Sequence, residues 1–169
     1  MIFLHELLCL LLSVGTGAGG VEAPRIMHWF NHAQSPLHLR VARAELSNEG
    51  YRRLQCALIR KLPLFIGMFP MDERGDSELA KLAVSLDGLT LGYIPEEERT
   101  EELCDIAMEN NQKAFGSTPQ SYRTLRRCLQ LLKKNSSIYN LVPDRWKDIR
   151  EILELSPYRN LCGNKPSPE

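Results

Sequence analysis

The chain lacks a net charge. Its 21 lysine and arginine residues are balanced by 21 aspartate and glutamate residues. Proteins that bind nucleic acid usually carry a basic excess, because contacts with phosphates supply much of their affinity. The balance therefore disfavours nucleic acid as a partner. Apolar and charged residues make up 43% and 25% of the chain, as in soluble globular proteins, which argues against disorder throughout.

The chain also lacks an apolar run long enough to cross a bilayer, which takes about 20 residues in a helix. Its most apolar stretch, residues 2–14, contains a histidine and a glutamate, and no lysine or arginine precedes it. Ala23 follows as a permissible signal-peptide cleavage site. Residues 1–26 are interpreted as a signal-like or unstructured leader. The alternatives are a true start at Met27 and a membrane-integrated helix, although no stable membrane insertion is expected.

Motifs for catalysis are absent as well. The sequence has no glycine-rich phosphate loop and no dinucleotide-binding fingerprint. His28 and His32 have the spacing of a zinc-binding pair on a helix, but the glutamate of a metalloprotease motif does not accompany them. A nucleophilic pair of Cys56 and His38 lacks an orienting partner. The sequence therefore predicts no catalytic residue, no metal and no cofactor, and a small hydrolase or metal-dependent enzyme is a distant alternative.

A pattern of glycine, proline and arginine recurs four times along the chain. An apolar or aromatic residue is followed by glycine or asparagine, then by proline three residues later and a basic residue four residues after that. The prolines are 25, 24 and 24 residues apart, and a fixed period of this size indicates a repeat architecture. The four occurrences begin at Ile66, Leu91, Phe115 and Tyr139.

Each position of the pattern has a predicted local role. Glycine and asparagine tolerate the left-handed backbone at the end of a helix, and the following proline prevents the helix from resuming. The predicted helix stops are Gly67, Gly92, Gly116 and Asn140. The predicted N-caps of the next helices follow the basic residues and are Gly75, Thr100, Thr124 and Asp148. Asn111 and Asn135 are predicted to end the helices at equivalent points.

Apolar residues recur at fixed distances after the prolines, with spacings that place them on one face of a helix. Nine residues after the prolines lie Leu79, Cys104, Cys128 and Ile152. Thirteen residues after them lie Ala83, Met108, Leu132 and Ser156. Cys104 and Cys128 are therefore expected to be packing residues, and Cys9, Cys56 and Cys162 show no pairing signature. Reduced thiols are expected, which favours a reducing compartment.

These features predict an all-α protein of stacked short helix–turn–helix repeats of about 24 residues, similar to an α-solenoid. A leucine-rich repeat is rejected because its Leu-x-x-Leu-x-Leu-x-x-Asn run does not occur. The helical repeat domain is placed at residues 27–157, with an irregular N-terminal cap, and residues 158–169 are expected to form a loose tail. The predicted units are residues 50–74, 75–99, 100–123 and 124–147, with a partial unit at 148–157.

Charge is unevenly distributed along the chain. Residues 96–109 contain seven acidic residues and one basic residue, whereas residues 123–150 contain eight basic and two acidic residues. These segments are either solvated helix faces or two ends of a surface for a charged protein partner. The basic residues of the repeat are the candidate partner-binding residues, unless they cover carbonyls at helix ends. They are Arg74, Arg99, Arg123 and Lys147.

The third unit carries a resemblance to a known group of repeats. The residues that carry it are Leu103, Cys104, Ala107, Asn111, Ala114, Phe115 and Pro119. They resemble the bacterial repeats catalogued as domain of unknown function 4116, which read roughly Leu-Cys-x-x-Ala-Val-x-x-Asn-Gly-x-Ala-Leu-x-x-Val-Pro. The similarity covers residues 99–147 closely and 50–98 more weakly, and it departs at Arg127 and Gln130. It implies a helical array in a bacterial protein, sometimes a secreted effector, and no established activity.

The sequence thus predicts a non-enzymatic helical repeat protein that mediates protein–protein binding or scaffolding. The alternative is a secreted bacterial effector that acts on a host protein. The corresponding locations are the bacterial cytoplasm and, after secretion, the outside of the bacterium. The identity of the partner is not encoded in any feature of the sequence.

Overall fold

Helices form the regular structure of residues 19–157, the part of the chain that the computed structural model of this protein describes, with side chains from Glu22 onwards. The α-helices are α1 (Gly19–His32), α2 (Pro36–Glu45), α3 (Asn48–Lys61), α4 (Met71–Arg74), α5 (Ser77–Leu86), α6 (Glu101–Asn110), α7 (Leu125–Lys134), α8 (Asp144–Lys147) and α9 (Arg150–Glu154). The 3₁₀-helices are η1 (Pro63–Met68), η2 (Gly88–Tyr93), η3 (Glu96–Glu98), η4 (Gln112–Ser117) and η5 (Ser136–Leu141). Cys9, Cys162, most of the predicted leader and the predicted tail lie outside the described residues.

The all-α prediction is confirmed for residues 19–157, which contain no strand. Helices α5, α6 and α7 each have ten residues, and each is followed by a 3₁₀-helix of six residues. One extended residue separates the two helices. It is Asp87, Asn111 or Asn135, and its Oδ1 accepts a hydrogen bond of 3.0 Å from the backbone N–H two residues later. The predicted helix ends at Asn111 and Asn135 are confirmed, and Asp87 was not predicted.

The predicted N-caps are correct in two units and wrong in two. Thr100 and Thr124 accept hydrogen bonds from the backbone N–H three residues later, at 3.3 and 3.4 Å. Gly75 and Asp148 instead end α4 and α8 in a right-handed helical conformation. The residue that was predicted to cap the next helix is therefore the one that ends the four-residue helix after the proline. After α4 the cap is Asp76, whose Oδ1 accepts two backbone N–H groups at 3.1 Å.

The predicted left-handed helix stops are also wrong. Among the described residues, no φ is positive, whether for glycine or for any other residue type. The positions concerned are Gly67, Gly92, Gly116 and Asn140. They lie within 3₁₀-helices, and an extended residue followed by proline ends each of these helices.

The repeated glycines instead allow successive 3₁₀-helices to approach each other closely. A Cβ atom at Gly67 would lie 2.8 Å from the ring of Tyr93, which belongs to the next unit. The equivalent pairs are Gly92 with Ser117 and Gly116 with Leu141. In every case the facing side chain directly follows the glycine or asparagine of the next unit. Each of these glycines therefore lies where one 3₁₀-helix closely approaches the next.

The predicted apolar columns form the core. Residues nine and thirteen positions after the prolines are all buried. A third buried column was not predicted, because its members directly precede the prolines and were assigned to loops. These residues are Phe69, Ile94, Thr118 and Val142, each at most 2% exposed. The proline keeps their backbone extended, and their side chains join the core.

Helix α1 crosses the boundary that was predicted at residue 26. Ile26 is buried, and α1 packs against α3. The carboxylate of Glu22 accepts hydrogen bonds from the backbone N–H and the hydroxyl of Ser47, both at 2.7 Å. Ser47 is itself the N-cap of α3. Residues 19–26, which the prediction placed in the leader, therefore begin a helix that packs on α3.

The helices pack largely in chain order. α3 packs on α5 and α5 on α6, while η1, η2, η4 and η5 each pack on the next. Helices α6 and α7 are the exception, since their backbones have little contact with each other. Of the helices in residues 19–157, none combines the length and the apolar character that a membrane span requires.

Candidate partner-binding surfaces

Three of the four predicted partner-binding residues bind the turn that precedes them. Arg74 donates from Nε to the carbonyl of Phe69 and from Nη2 to the carbonyl of Gly67, both at 2.7 Å. Arg99 and Arg123 make equivalent bonds. In each unit the guanidinium binds the carbonyl of the glycine and the carbonyl of the residue before the proline. We call this arrangement the arginine fork.

The arginine forks satisfy carbonyls at the end of a 3₁₀-helix, where no partner within the helix is available. The three arginines are half-buried. Arg99 also reaches the next unit, because its Nη1 donates to the carbonyl of Ser117 at 2.7 Å. These contacts support the alternative that basic residues cover helix carbonyls. Binding of a partner by the forks stays a prediction.

Lys147 is placed differently from the three arginines. Its Nζ forms an ion pair with Asp144 at 2.7 Å, and its described contacts do not include the turn carbonyls. An ammonium group is a compact point charge, whereas a guanidinium presents several donors in one plane. The fourth basic position of the repeat is therefore not structurally equivalent to the others.

Arg74 also lines a groove of about 590 Å³ formed by α2, η1, α4 and the start of α3. We call it the arginine groove and define it by Arg40, Arg43, Arg74, Met68 and Met71. Its other lining residues are Pro36, Tyr51, Phe69 and Pro70. Among the described residues, no acidic side chain lines this groove. Its surface thus combines three cations with apolar side chains.

The carboxylate of Glu73, beside the arginine groove, connects the helices that form its walls. Glu73 accepts hydrogen bonds from Arg43, from the hydroxyl of Tyr51 at 3.1 Å and from the amide of Gln55 at 2.7 Å. Burial, together with the neighbouring Glu73, raises the pKa of Tyr51, which therefore remains a hydrogen-bond donor. Glu73 was missed in the sequence because its partners lie 18 to 30 residues away along the chain.

A second groove, of about 580 Å³, opens where α6 and α7 diverge. Tyr122 occupies the loop before α7 and is buried, and its hydroxyl donates to Asp105 at 2.5 Å. The guanidinium of Arg127 lies 3.9 Å from the centroid of the Tyr122 ring and donates to Asp105 at 2.6 Å. The bond from Tyr122, followed by Arg127, lowers the pKa of Asp105. These three side chains join α7 to α6.

The two walls of the α6–α7 groove carry opposite charges. Helix α6 contributes Asp105 and Glu109, and α7 contributes Arg127, Lys133 and Lys134. Met108 and Leu131 add apolar surface, and Gln112, Tyr122 and Gln130 complete the lining. Some residues of the acidic segment and some of the basic segment noted in the sequence therefore line the same groove.

The other residues considered for chemistry have local structural contacts. The rings of His28 and His32 stack with centroids 4.5 Å apart, and Nδ1 of His32 donates to the carbonyl of His28 at 2.7 Å. Within residues 22–157, no three His, Cys, Asp or Glu side chains are grouped to hold a metal ion. Burial raises the pKa of the Cys56 thiol, whereas a nucleophilic cysteine needs a lowered pKa.

Cys104 and Cys128 are packing residues, as predicted. Both are buried free thiols. Burial raises the pKa of Cys104 to about 11 and raises that of Cys128 as well. Both side chains are therefore uncharged near neutral pH, as a buried position requires.

Comparison of the chain with protein-family models, with curated proteins and with solved structures finds no match. The resemblance to the bacterial repeats of domain of unknown function 4116 therefore stays a prediction.

Proposed function

We propose that this protein is a helical repeat array that binds other proteins as a scaffold and does not catalyse a reaction. The observation that carries the proposal is the recurrence of the same contacts in successive units. Arg74, Arg99 and Arg123 form the same fork, and each repeated glycine faces the following unit. Units joined in this way share one core and present an extended surface, which is the basis of binding by repeat proteins.

The two grooves supply surfaces of the composition that protein interfaces use. Their volumes are about 590 and 580 Å³. Each groove combines apolar with charged side chains. Interfaces gain most of their affinity from buried apolar and arginine side chains, while the charges at the rim select the partner. The described residues thus offer two places where a partner could be held.

Affinity capture with the full chain tests this function. We expect wild-type protein to retain a reproducible set of proteins that the variant Lys133→Glu/Lys134→Glu retains less well, because both lysines line the α6–α7 groove. The matched control is Lys113→Glu/Arg126→Glu, which makes the same change in net charge at exposed positions outside both grooves.

Quantitative mass spectrometry of the captured proteins, followed by binding measurements with the purified partner, decides the outcome. Retention by wild type and control with loss from the groove variant supports the proposal. If no protein binds the wild-type chain above background, or if the captured protein is released in chemically altered form, the proposed scaffold function is wrong.

A further inference from the structure

We propose that the arginine groove binds a short acidic segment of a protein partner, with an apolar side chain of that segment seated against Met68 and Met71. This inference rests on the protein-binding function proposed above and specifies the chemistry of the ligand. Three features of the groove lead to it: its charge, its apolar surface and its fixed walls.

The groove carries a positive charge that the neighbouring Glu73 neutralises only in part. Arg40 is exposed and has no hydrogen bond or ion pair within residues 22–157. Arg43 is paired with Glu73, yet its side chain remains 55% exposed. A guanidinium carries five N–H donors, so Arg43 and Arg74 keep donors beyond those bound to Glu73 and to the turn carbonyls. Carboxylates are the complementary groups, because guanidinium binds them through paired hydrogen bonds.

The apolar surface of the groove indicates a peptide and not a small anion. Met71 is 59% exposed and lines the groove beside the cations, together with buried Phe69. Methionine is flexible and polarisable, and it adapts to varied apolar partners. A volume of about 590 Å³ is far larger than an inorganic anion fills, and it accommodates several side chains. An acidic residue next to leucine, phenylalanine or methionine fits both parts of the lining.

The walls of the groove are held in place before any ligand arrives. Glu73 connects α2, α3 and α4 through Arg43, Tyr51 and Gln55. The arginine fork of Arg74 holds the turn after η1. Binding to such a preformed surface orders few protein groups, which preserves affinity for a short segment.

Selection from a library of random peptides displayed on phage, with the full chain as bait, provides the probes. We expect the recovered peptides to be enriched in aspartate or glutamate next to leucine, phenylalanine or methionine. Fluorescence anisotropy then measures the Kd of the synthetic peptides. The Arg40→Glu substitution should weaken binding at least about tenfold, since it reverses a charge that faces the ligand. Arg126→Glu, with the same change in net charge at an exposed position of α7, should change Kd less than about twofold.

Three results of the selection and the variant measurements would overturn the inference, and phosphate competition provides a fourth. These are the recovery of no binding peptide, recovered peptides without acidic enrichment, and equal effects of Arg40→Glu and Arg126→Glu. Competition by inorganic phosphate distinguishes a simple anion site: if phosphate binds more tightly than every recovered peptide, the peptide assignment is wrong. Denaturation curves confirm that both variants are folded.

The capture experiment separates this inference from the proposed function. A partner retained equally by wild-type protein and Arg40→Glu leaves the scaffold function intact and rejects the arginine groove as its binding site. Absence of any captured partner rejects the function itself.

Discussion

Arginine and lysine are not interchangeable in the turns of this repeat. The guanidinium of each fork binds two carbonyls that lie two residues apart, for example those of Gly67 and Phe69. An ammonium group has no planar pair of donors with that geometry. Where the fourth turn has Lys147, the fork is replaced by an ion pair with Asp144. The helix that follows, α9, has five residues in place of ten.

Replacement of Arg99 by lysine is expected to lower the free energy of unfolding by about 1.5–3 kcal/mol, the usual range for hydrogen bonds to a charged group. Chemical denaturation measures the change. Arg126→Lys is the matched control and should have almost no effect, because Arg126 is exposed and has no hydrogen bond in the described part of the chain. Unchanged stability together with weaker capture of a partner would instead favour the predicted binding role of Arg99.

The bond between Glu22 and Ser47 predicts a dependence of stability on pH. The hydroxyl and N–H of Ser47 lower the pKa of Glu22. A group with a lower pKa in the folded chain stabilises the fold above the pKa of the unfolded chain, and this contribution is lost as pH falls through the folded value. We expect wild-type protein to be more stable than Glu22→Gln at pH 7. The difference should shrink as pH falls from about 4.3 through the lowered pKa.

Denaturation midpoints measured across this pH range provide the test for Glu22. Glu96→Gln is the control, because Glu96 is exposed at the start of η3 and has no such bond among the described residues. A constant difference between wild type and Glu22→Gln at all pH values would contradict the assignment.

At the scale of elements, the crossing of η2 and α6 leaves no room for a side chain. A Cβ atom at Gly88 would lie 2.4 Å from the carbonyl oxygen of Ala107. Asn110 stabilises the same crossing. Its Oδ1 accepts the N–H of Gly88 at 2.9 Å, and its Nδ2 donates to the carbonyl of Ser85 at 2.8 Å. Asn110, the last residue of α6, therefore bonds to both the end of α5 and the start of η2.

Gly88→Ala is expected to destabilise the protein by about 1–3 kcal/mol, the usual cost of overpacking, because the obstructing atom belongs to the backbone. The Gly92→Ala variant is the matched control. There the nearest atom is Oγ of Ser117 at 3.2 Å, and a serine side chain can rotate away. Urea denaturation compares the two variants. Equal midpoints would show that the backbones at the crossing can separate at little cost.

The helices themselves could be predicted from the sequence, while the contacts between them could not. Spacing along a helix determines which side chains share a face, so the burial of Cys104 and Cys128 was predictable. The role of Gly67 depends on how closely Tyr93 of the next unit approaches, and local spacing does not encode that distance. The wrong cap at Gly75 has a local cause, since a full α-turn after the proline displaces the start of α5 by one residue.

At the scale of the whole molecule, α7 is joined to the preceding helices mainly through side chains. Helices α5 and α6 pack directly, whereas α6 and α7 have little backbone contact. Tyr122, Asp105 and Arg127 bridge the gap. The sequence shows an acidic and a basic segment. It does not show that residues of both line one groove, because that arrangement depends on the loop that contains Tyr122.

Loss of the Tyr122 hydroxyl is expected to loosen the C-terminal part of the fold selectively. In the Tyr122→Phe variant, amide hydrogen exchange should become faster in residues 125–141 and stay nearly unchanged in residues 77–93, because local opening follows the weakest contacts. Tyr93→Phe is the control, since Tyr93 is 44% exposed. A uniform increase along the chain would mean that the molecule opens as a single unit.

The arginine forks have a consequence for how the surface of this protein can change. They bind main-chain carbonyls, which every residue type supplies. The position six residues before each proline contributes no side chain to a fork, and it is occupied by the exposed residues Leu64, Leu89, Lys113 and Ser137. Substitutions at these four positions are expected to leave the forks intact, so the exposed side chains of this fold can change without any change in its main-chain contacts.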